Sequence, residues 1–258
     1  MSCKLVKLVG VLSICSTVYF SIAKVAYAVN TNDTEITTKT FSIRLGVSRL
    51  IYNPESKGAT LSVTNDQSYP ILVQSEILSE DQEKKAPFIA TPPLFRLDGK
   101  QTTRLRVVRT GGTFPSDRES LQWLCVKGIP PKEGDKWAES NNKNGQNDSK
   151  IAMQVQFSVT NCIKMFIRPE GIKAQSNEAA GQVVWHISEG KLKATNPTPF
   201  YINLSELTVD GTVINDRHYI APFSTSYYSI PTHTFKKVKW RVINDYGGES
   251  QLYESEIK

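Results

Sequence analysis

The sequence predicts an all-β protein made of two immunoglobulin-like β-sandwich domains. Three observations carry this. Runs rich in β-branched and aromatic residues, bounded by turn residues, recur every ten to fifteen positions. No segment beyond the N-terminus carries a convincing amphipathic helical pattern. After Arg168-Pro169-Glu170-Gly171 the strand pattern starts afresh, and roughly 230 residues divided there make two domains of ordinary size.

The first 28 residues stand apart. They carry Lys4 and Lys7, an apolar middle and Ala26-Tyr27-Ala28 at the end, the pattern of a secretory signal with its cleavage site. A membrane-spanning helix is the competing reading, but Ser13, Ser16, Thr17, Ser21 and Lys24 cut the apolar run below the ~20 residues a span needs. Bulky Ile14 before Cys15 argues against lipoprotein processing. Removing this segment takes three lysines and no acid, so the formal net charge falls from +6 to +3. The remaining Lys and Arg are scattered, which speaks against nucleic acid as a partner.

The first sandwich (29–169) draws its strands from the opening stretch, FSIRLGVSRLIY, ATLSVTN, YPILVQSEIL, TTRLRVVRT and LQWLCVKGI. PPKEGDKWAESNNKNGQNDSK follows without apolar periodicity and reads as a long loop. Directly after it, IAMQVQFSVT places Ile151, Met153, Val155, Phe157 and Val159 on one face of a strand. Continued through NCIKMFIR, the extended run would span roughly 60 Å, more than one small domain buries. Either a bulge near Asn161 divides it, or its first half projects as an edge that another chain can use.

Export leaves two cysteines, Cys125 and Cys162, in an oxidising compartment where pairing is expected. Such a bridge stabilises by roughly 4 kcal/mol in the chain-entropy description and ties together the strands on either side of the long loop. The second sandwich (170–258) takes VVWHIS, KLKATN, FYINLSELTV, the run Tyr227 to Ile230, KVKWRVIN and QLYESEI, with hairpin turns at Asp210-Gly211 and Gly247-Gly248.

Catalytic chemistry is not legible. His186, His218 and His233 lack metal-ligand spacing. Nucleophile-elbow, zinc-protease and phosphate-loop motifs are missing, and Ser140-Asn141-Asn142-Lys143 is an isolated S-x-x-K in a polar loop. No enzyme, metal or cofactor is expected.

FPSDRESLQWLCVKGIPP (114–131) resembles the signature segment of the PapD-like periplasmic pilus chaperones of the chaperone/usher pathway. GVSRLIY, TPPLFRLDG, NCIKMFIRP, NPTPFY and INDYGG resemble the same family in the same order, so the likeness covers essentially the whole exported chain. It implies an L-shaped pair of sandwiches with a working cleft between them. The long loop and the cysteine pair resemble the long-loop branch, which serves capsule-like or thin adhesive fibres.

The resemblance also implies roles. Ile151, Met153, Val155, Phe157 and Val159 would be donated to a fibre subunit that lacks its last strand, a β-augmentation in which main-chain bonds give affinity and alternate side chains fill pockets. Arg49 and Lys164 would hold the subunit's terminal carboxylate, a guanidinium fork beside a point charge. Glu119, Arg168 and Asp245 would form an inter-domain charge network. The partners are then a fibre subunit, one to one, and an outer-membrane usher, in the periplasm. Without a subunit, the exposed apolar strand is expected to self-associate. Two other readings compete: a fibre subunit, which would be a single incomplete sandwich, and a secreted sandwich hydrolase, which would need a catalytic constellation.

Overall fold

A computed structural model describes residues 35–131, 135–138, 152–172, 176–230 and 236–257. The predicted signal, Ile151 and most of the long loop lie outside these residues, as does the side chain of Met153.

In chain order the first sandwich contains β1 (Glu35–Phe41), β2 (Arg44–Leu45), β3 (Arg49–Tyr52), β4 (Ala59–Thr64), β5 (Ile71–Leu78), β6 (Phe88–Thr91), β7 (Leu94–Leu97), β8 (Thr102–Arg109), β9 (Ser120–Ile129), β10 (Ala152–Ser158) and β11 (Thr160–Ile167). One sheet runs β3-β11-β9-β5-β7 and the facing sheet β2-β4-β8-β6. Alternation decides which side chains meet between them: Ile71, Val73 and Ile77 of β5 and Leu124 and Val126 of β9 are buried with Val63, Leu105 and Val107 of the other sheet.

FSIRLGVSRLIY is not one strand, as the sequence suggested. It breaks at Gly46, so β2 pairs β4 while β3 joins β11 in the opposite sheet. The Gly46 amide donates to the Ser62 carbonyl at 2.9 Å, and a Cβ there would fall 2.0 Å from the Ser62 hydroxyl. β6 and β7, unpredicted, make a second switch between sheets around a cis Thr91-Pro92 peptide.

The overlong run divides at Val159. β11 stays in the core sheet, whereas β10 leaves it and pairs in parallel with β1, from Glu35↔Ala152 to Phe41↔Ser158. This pair forms its own two-stranded sheet. Its C-terminal end is pinned: the Val159 amide donates to Phe41 O, the Gly128 amide to Val159 O, each at 3.1 Å, and the Tyr69 hydroxyl to Thr40 O at 2.8 Å. Gly128 permits the approach, since a Cβ would meet Phe41 O at 2.4 Å. Gly128→Ala is therefore expected to cost about 1 to 3 kcal/mol in thermal unfolding and to speed exchange of the Val159 amide.

The second sandwich contains the short helix α1 (Ser176–Ala180) and β12 (Val184–Ser188), β13 (Lys191–Thr195), β14 (Ile202–Val209), β15 (Thr212–Val213), β16 (Tyr219–Ile220), β17 (Thr225–Ser229), β18 (Lys237–Val242) and β19 (Tyr253–Glu256). Sheet β12-β13-β17 faces β15-β14-β18-β19 around Trp185, Trp240 and Tyr228. Asp210 and Gly211 adopt φ of 44° and 83°, the left-handed pair that a two-residue hairpin demands. Both sandwiches use a buried asparagine to close a strand end: Asn65 donates to Tyr69 O, and Asn196 to Phe200 O. Among the described residues no helix is long and apolar enough to cross a membrane.

Candidate functional site in the inter-domain cleft

The outer face of the β3-β11-β9 sheet turns toward the second sandwich, and strand register decides what it presents. Met165 and Ile167 of β11 point into the first core; Cys162, Lys164 and Phe166 take the other face. Opposite residues on neighbouring strands share a face, so each position of β11 heads a cross-strand row. Phe166 lies beside Ile51 of β3 and Leu121 of β9. This row packs against Tyr201, Tyr219 and Ala221 of the second sandwich and forms an apolar seam between the domains.

One step toward the open end, Lys164 lies beside Arg49 on one side and Trp123 on the other. Two cations are thus set next to each other by register alone. Arg49 is 8% exposed; its Nη1 donates to Ile243 O at 2.8 Å, and its buried Nε has no partner among the described residues. Burial lowers its basicity, against the pull of Asp245 and Glu119. The Lys164 ammonium donates to Asn203 Oδ1 at 2.6 Å and sits 4.6 Å from the Tyr219 ring and 5.8 Å from that of Trp123. Burial, then the neighbouring Arg49 charge, brings its pKa down to about 8. Two half-dehydrated cations, with no carboxylate in a salt bridge to either among the described residues, make a site that favours an incoming anion. A cleft of about 260 Å³ opens over them, lined also by Ser48, Leu204, Arg217 and His218.

One row further out lies the predicted disulfide, Cys125–Cys162, across directly opposed positions of β9 and β11. Val159 begins the departure of β10 from just beyond it. Val155 and Val159 are half-buried, and Phe157 is 54% exposed.

Glu119, Arg168 and Asp245 do meet. Arg168 donates through Nε to Glu119 Oε1 at 2.7 Å and through Nη1 and Nη2 to both Asp245 oxygens at 2.7 and 2.8 Å. Its guanidinium lies 5.1 Å from the Phe200 ring. Glu119 is 3% exposed and grips the second sandwich twice: its carboxylate accepts the Tyr201 amide and its own amide donates to Pro199 O. Burial pushes the Glu119 carboxyl up, with Arg168 opposing. For Arg168, burial is outweighed by its two carboxylates, which hold it firmly protonated. The segments FPSDRESLQWLCVKGIPP, which contains Glu119, and NPTPFY, which ends at Tyr201, thus meet in one site.

Asn203, Tyr219, Tyr201 and Glu80 belong to the cleft and were not singled out from sequence. Tyr201 and Asn203 follow directly from NPTPFYIN, whose alternation puts both on one face; Tyr219 and Glu80 carry no local signal.

Residues 42–173 match the family described as "Pili and flagellar-assembly chaperone, PapD N-terminal domain", and residues 178–254 match "Pili assembly chaperone PapD, C-terminal domain". The chain belongs to the PapD-like pilus-assembly chaperones. The chaperone protein AfaB of Escherichia coli is 59% identical over 199 residues, 77% of this chain and 80% of that one. The crystal structure of the E. coli chaperone DraB is 54% identical, superposes with a TM-score of 0.76, and covers 87% of this chain and all of its own. The Salmonella enterica SafB chaperone, solved in complex with SafA pilin, is 41% identical with a TM-score of 0.75, covering 86% of this chain and 100% of that one. PapD-like chaperones are not enzymes, so the hydrolase reading falls. Two complete sandwiches, each matching its own chaperone domain, remove the fibre-subunit reading.

Proposed function

We propose that this chaperone captures one fibre subunit in its cleft, completes the subunit's sandwich with β10, and delivers it to an outer-membrane usher from the periplasm. The observation that carries this is the position of β10: an alternating strand that has left both sheets, is paired on one edge by β1, and has no strand on its other edge among the described residues. That edge offers main-chain donors and acceptors, and Val155, Phe157 and Val159 offer apolar side chains beside them. Ile151 and Met153 extend the same face in sequence. Each side chain buried in a subunit could contribute up to about 1.5 to 3 kcal/mol before ordering costs.

Arg49 and Lys164 are the anchor for the subunit's terminal carboxylate. Their register fixes where the subunit strand starts, and a slip of one residue would turn every apolar side chain to the wrong face. The Glu119–Arg168–Asp245 network sets the angle of the cleft. Residues 1–28 serve as the export signal, and the division between the domains lies near Pro169. The Cys125–Cys162 bridge at the base of the long loop suits the long-loop branch. Before capture, β10 and β1 of two copies would cover one another.

The test is native mass spectrometry of the tagged chaperone purified gently from the periplasm of its own host. A subunit at one-to-one stoichiometry is expected with the wild type and should be lost from a Val155→Asp, Phe157→Asp variant. Retention of the subunit by that variant overturns the donor-strand reading.

A further inference from the structure

We propose that Glu80 is a positioning residue for the Lys164 anchor, because it holds the two aromatic rings that flank the lysine ammonium. This rests on the anchor reading above, and goes beyond it in assigning how the lysine is aimed.

Glu80 lies in the loop after β5, two residues past Leu78, which pairs with Trp123 across β5 and β9. The Glu80 carbonyl accepts the Trp123 indole Nε1–H at 3.0 Å. Its carboxylate oxygen Oε1 accepts the Tyr219 hydroxyl at 2.9 Å and the Tyr201 hydroxyl at 3.2 Å. One residue of the first sandwich thereby fixes Trp123 from its own domain and two tyrosines from the other. Tyr201 and Tyr219 also meet edge to face, with ring centroids 5.4 Å apart. Trp123 and Tyr219 are the rings within cation–π range of Lys164.

The need for such a device is physical. A lysine reaches its target on a flexible four-carbon stem and is a point charge without preferred direction. Binding a single carboxylate oxygen requires that the stem be ordered beforehand, and Asn203 supplies only one hydrogen bond. Aromatic faces on either side restrict the ammonium without neutralising it. The loop that carries Glu80 is itself stiff: the Ser79 amide donates to Lys84 O at 2.8 Å, the Gln82 amide to Ser79 O at 2.9 Å, and the Glu83 amide to Asp81 Oδ1 at 3.0 Å. Glu80 thus also latches that loop onto the second sandwich, on a set of residues separate from the Glu119–Arg168–Asp245 network.

The charged or titratable groups facing the ammonium are Arg49 from β3 and Tyr219, whose hydroxyl Glu80 accepts, with Arg217 and His218 lining the same cleft. Both tyrosine hydroxyls use the same Glu80 oxygen, Oε1. A glutamine can reproduce those bonds without the charge, which separates positioning from electrostatics.

The experiment follows the Lys164 side chain by NMR in the full exported chain, comparing wild type with Glu80→Ala, Glu80→Gln and Tyr219→Phe. Loosening the rings hydrates the ammonium, so Glu80→Ala should raise the Lys164 titration midpoint by about one unit or more and weaken subunit capture at least about tenfold. Tyr219→Phe should move it the same way by less, since Tyr201 keeps its bond to the Glu80 carboxylate and still packs edge to face on the ring at position 219. The Trp123 indole, held by the main-chain carbonyl of residue 80, keeps its bond in every variant. Glu80→Gln should keep both near wild type. A latch that served only stability would lower the melting temperature and leave the midpoint in place, which overturns the proposal; so does normal capture by Glu80→Ala where Lys164→Ala loses capture, or a Glu80→Gln that behaves like alanine. Should Glu80→Ala fail to fold, Tyr219→Phe decides by its midpoint alone. Normal capture by Lys164→Ala would sink the anchor reading, whereas the midpoint shifts would still decide whether Glu80 positions the lysine.

Discussion

Lys164→Ala, and separately Arg49→Ala, should abolish recovery of bound subunit while leaving a folded two-domain protein. The two differ in stability. Lys164 is charged against the combined effect of burial and the adjacent Arg49 cation, so replacing it with methionine relieves that penalty while leaving the buried Asn203 Oδ1 without its donor, and the melting temperature should change little. Arg49 donates to Ile243 O, and its loss leaves that carbonyl without its partner at a cost of about 1 to 3 kcal/mol. A cation retained where it does not help the free protein fold is the mark of a binding group.

pH provides a second handle on the same site. The Lys164 pKa is about 8 in the folded protein against an ordinary value of 10.5. Below about pH 8 both folded and unfolded chains carry the proton, and the folded state bears the whole penalty. Between 8 and 10.5 the folded lysine gives up its proton first, so wild type gains stability relative to Lys164→Met over that window. Capture runs the other way. It should be level from pH 6 to 7 and fall above about 8, by up to about tenfold per unit, because the carboxylate needs the charged form. Chemical denaturation and subunit binding across pH 6 to 10 would check both; binding that stays level through pH 9.5 would remove Lys164 from the anchor.

Arg168→Ala is the second large effect. It strands Glu119, 3% exposed, with a charge that only the Tyr201 amide still contacts. Removing one member of a buried pair costs about 3 to 5 kcal/mol. The variant's loss should depend on pH in a defined sense. Burial already raises the Glu119 carboxyl above its usual value, and without Arg168 it climbs further. A raised carboxyl contributes stability that is present below its unfolded value of about 4.5 and lost as pH rises through the folded one. The gap between variant and wild type should therefore be widest near pH 7 and shrink as pH falls toward 4.5. Equilibrium denaturation at pH 7 and pH 5 measures this, and an equal gap at both values would rule out an uncompensated Glu119 charge as the cause. Glu119→Gln together with Arg168→Met removes both charges and should recover much of the loss, since an apolar replacement of a buried pair is often neutral.

Local signals carried a large part of the structure. Runs of β-branched and aromatic residues between turn residues located β4, β5, β8, β9, β14 and β18, and period-two alternation located β10, because a strand with one sealed face writes that period into its residues whatever it pairs with. Asp210-Gly211 announced its hairpin through the left-handed backbone that it adopts. The short strands β6, β7, β15 and β16 were not legible. They have two to four residues, too few for a period to register, and β6 and β7 are separated by a switch between sheets rather than by a turn motif. FSIRLGVSRLIY was read as one strand because a change of sheet at Gly46 leaves the apolar spacing on either side intact.

The sequence by itself determined the all-β class, a second run of strands following the first, and the pairing of Cys125 with Cys162. Each is a property of neighbouring residues or of a count, and each survives any arrangement of the rest. The row Arg49–Lys164–Trp123, the ring holders on Glu80 and the triad centred on Arg168 were decided by tertiary structure. They depend on which strand lies beside which, in what register, and on how one sandwich meets the other. An isolated arginine or lysine reads as a solvated charge in any sequence. It becomes an anion site only when register places a second cation beside it and a neighbouring domain excludes the water that would otherwise hydrate both.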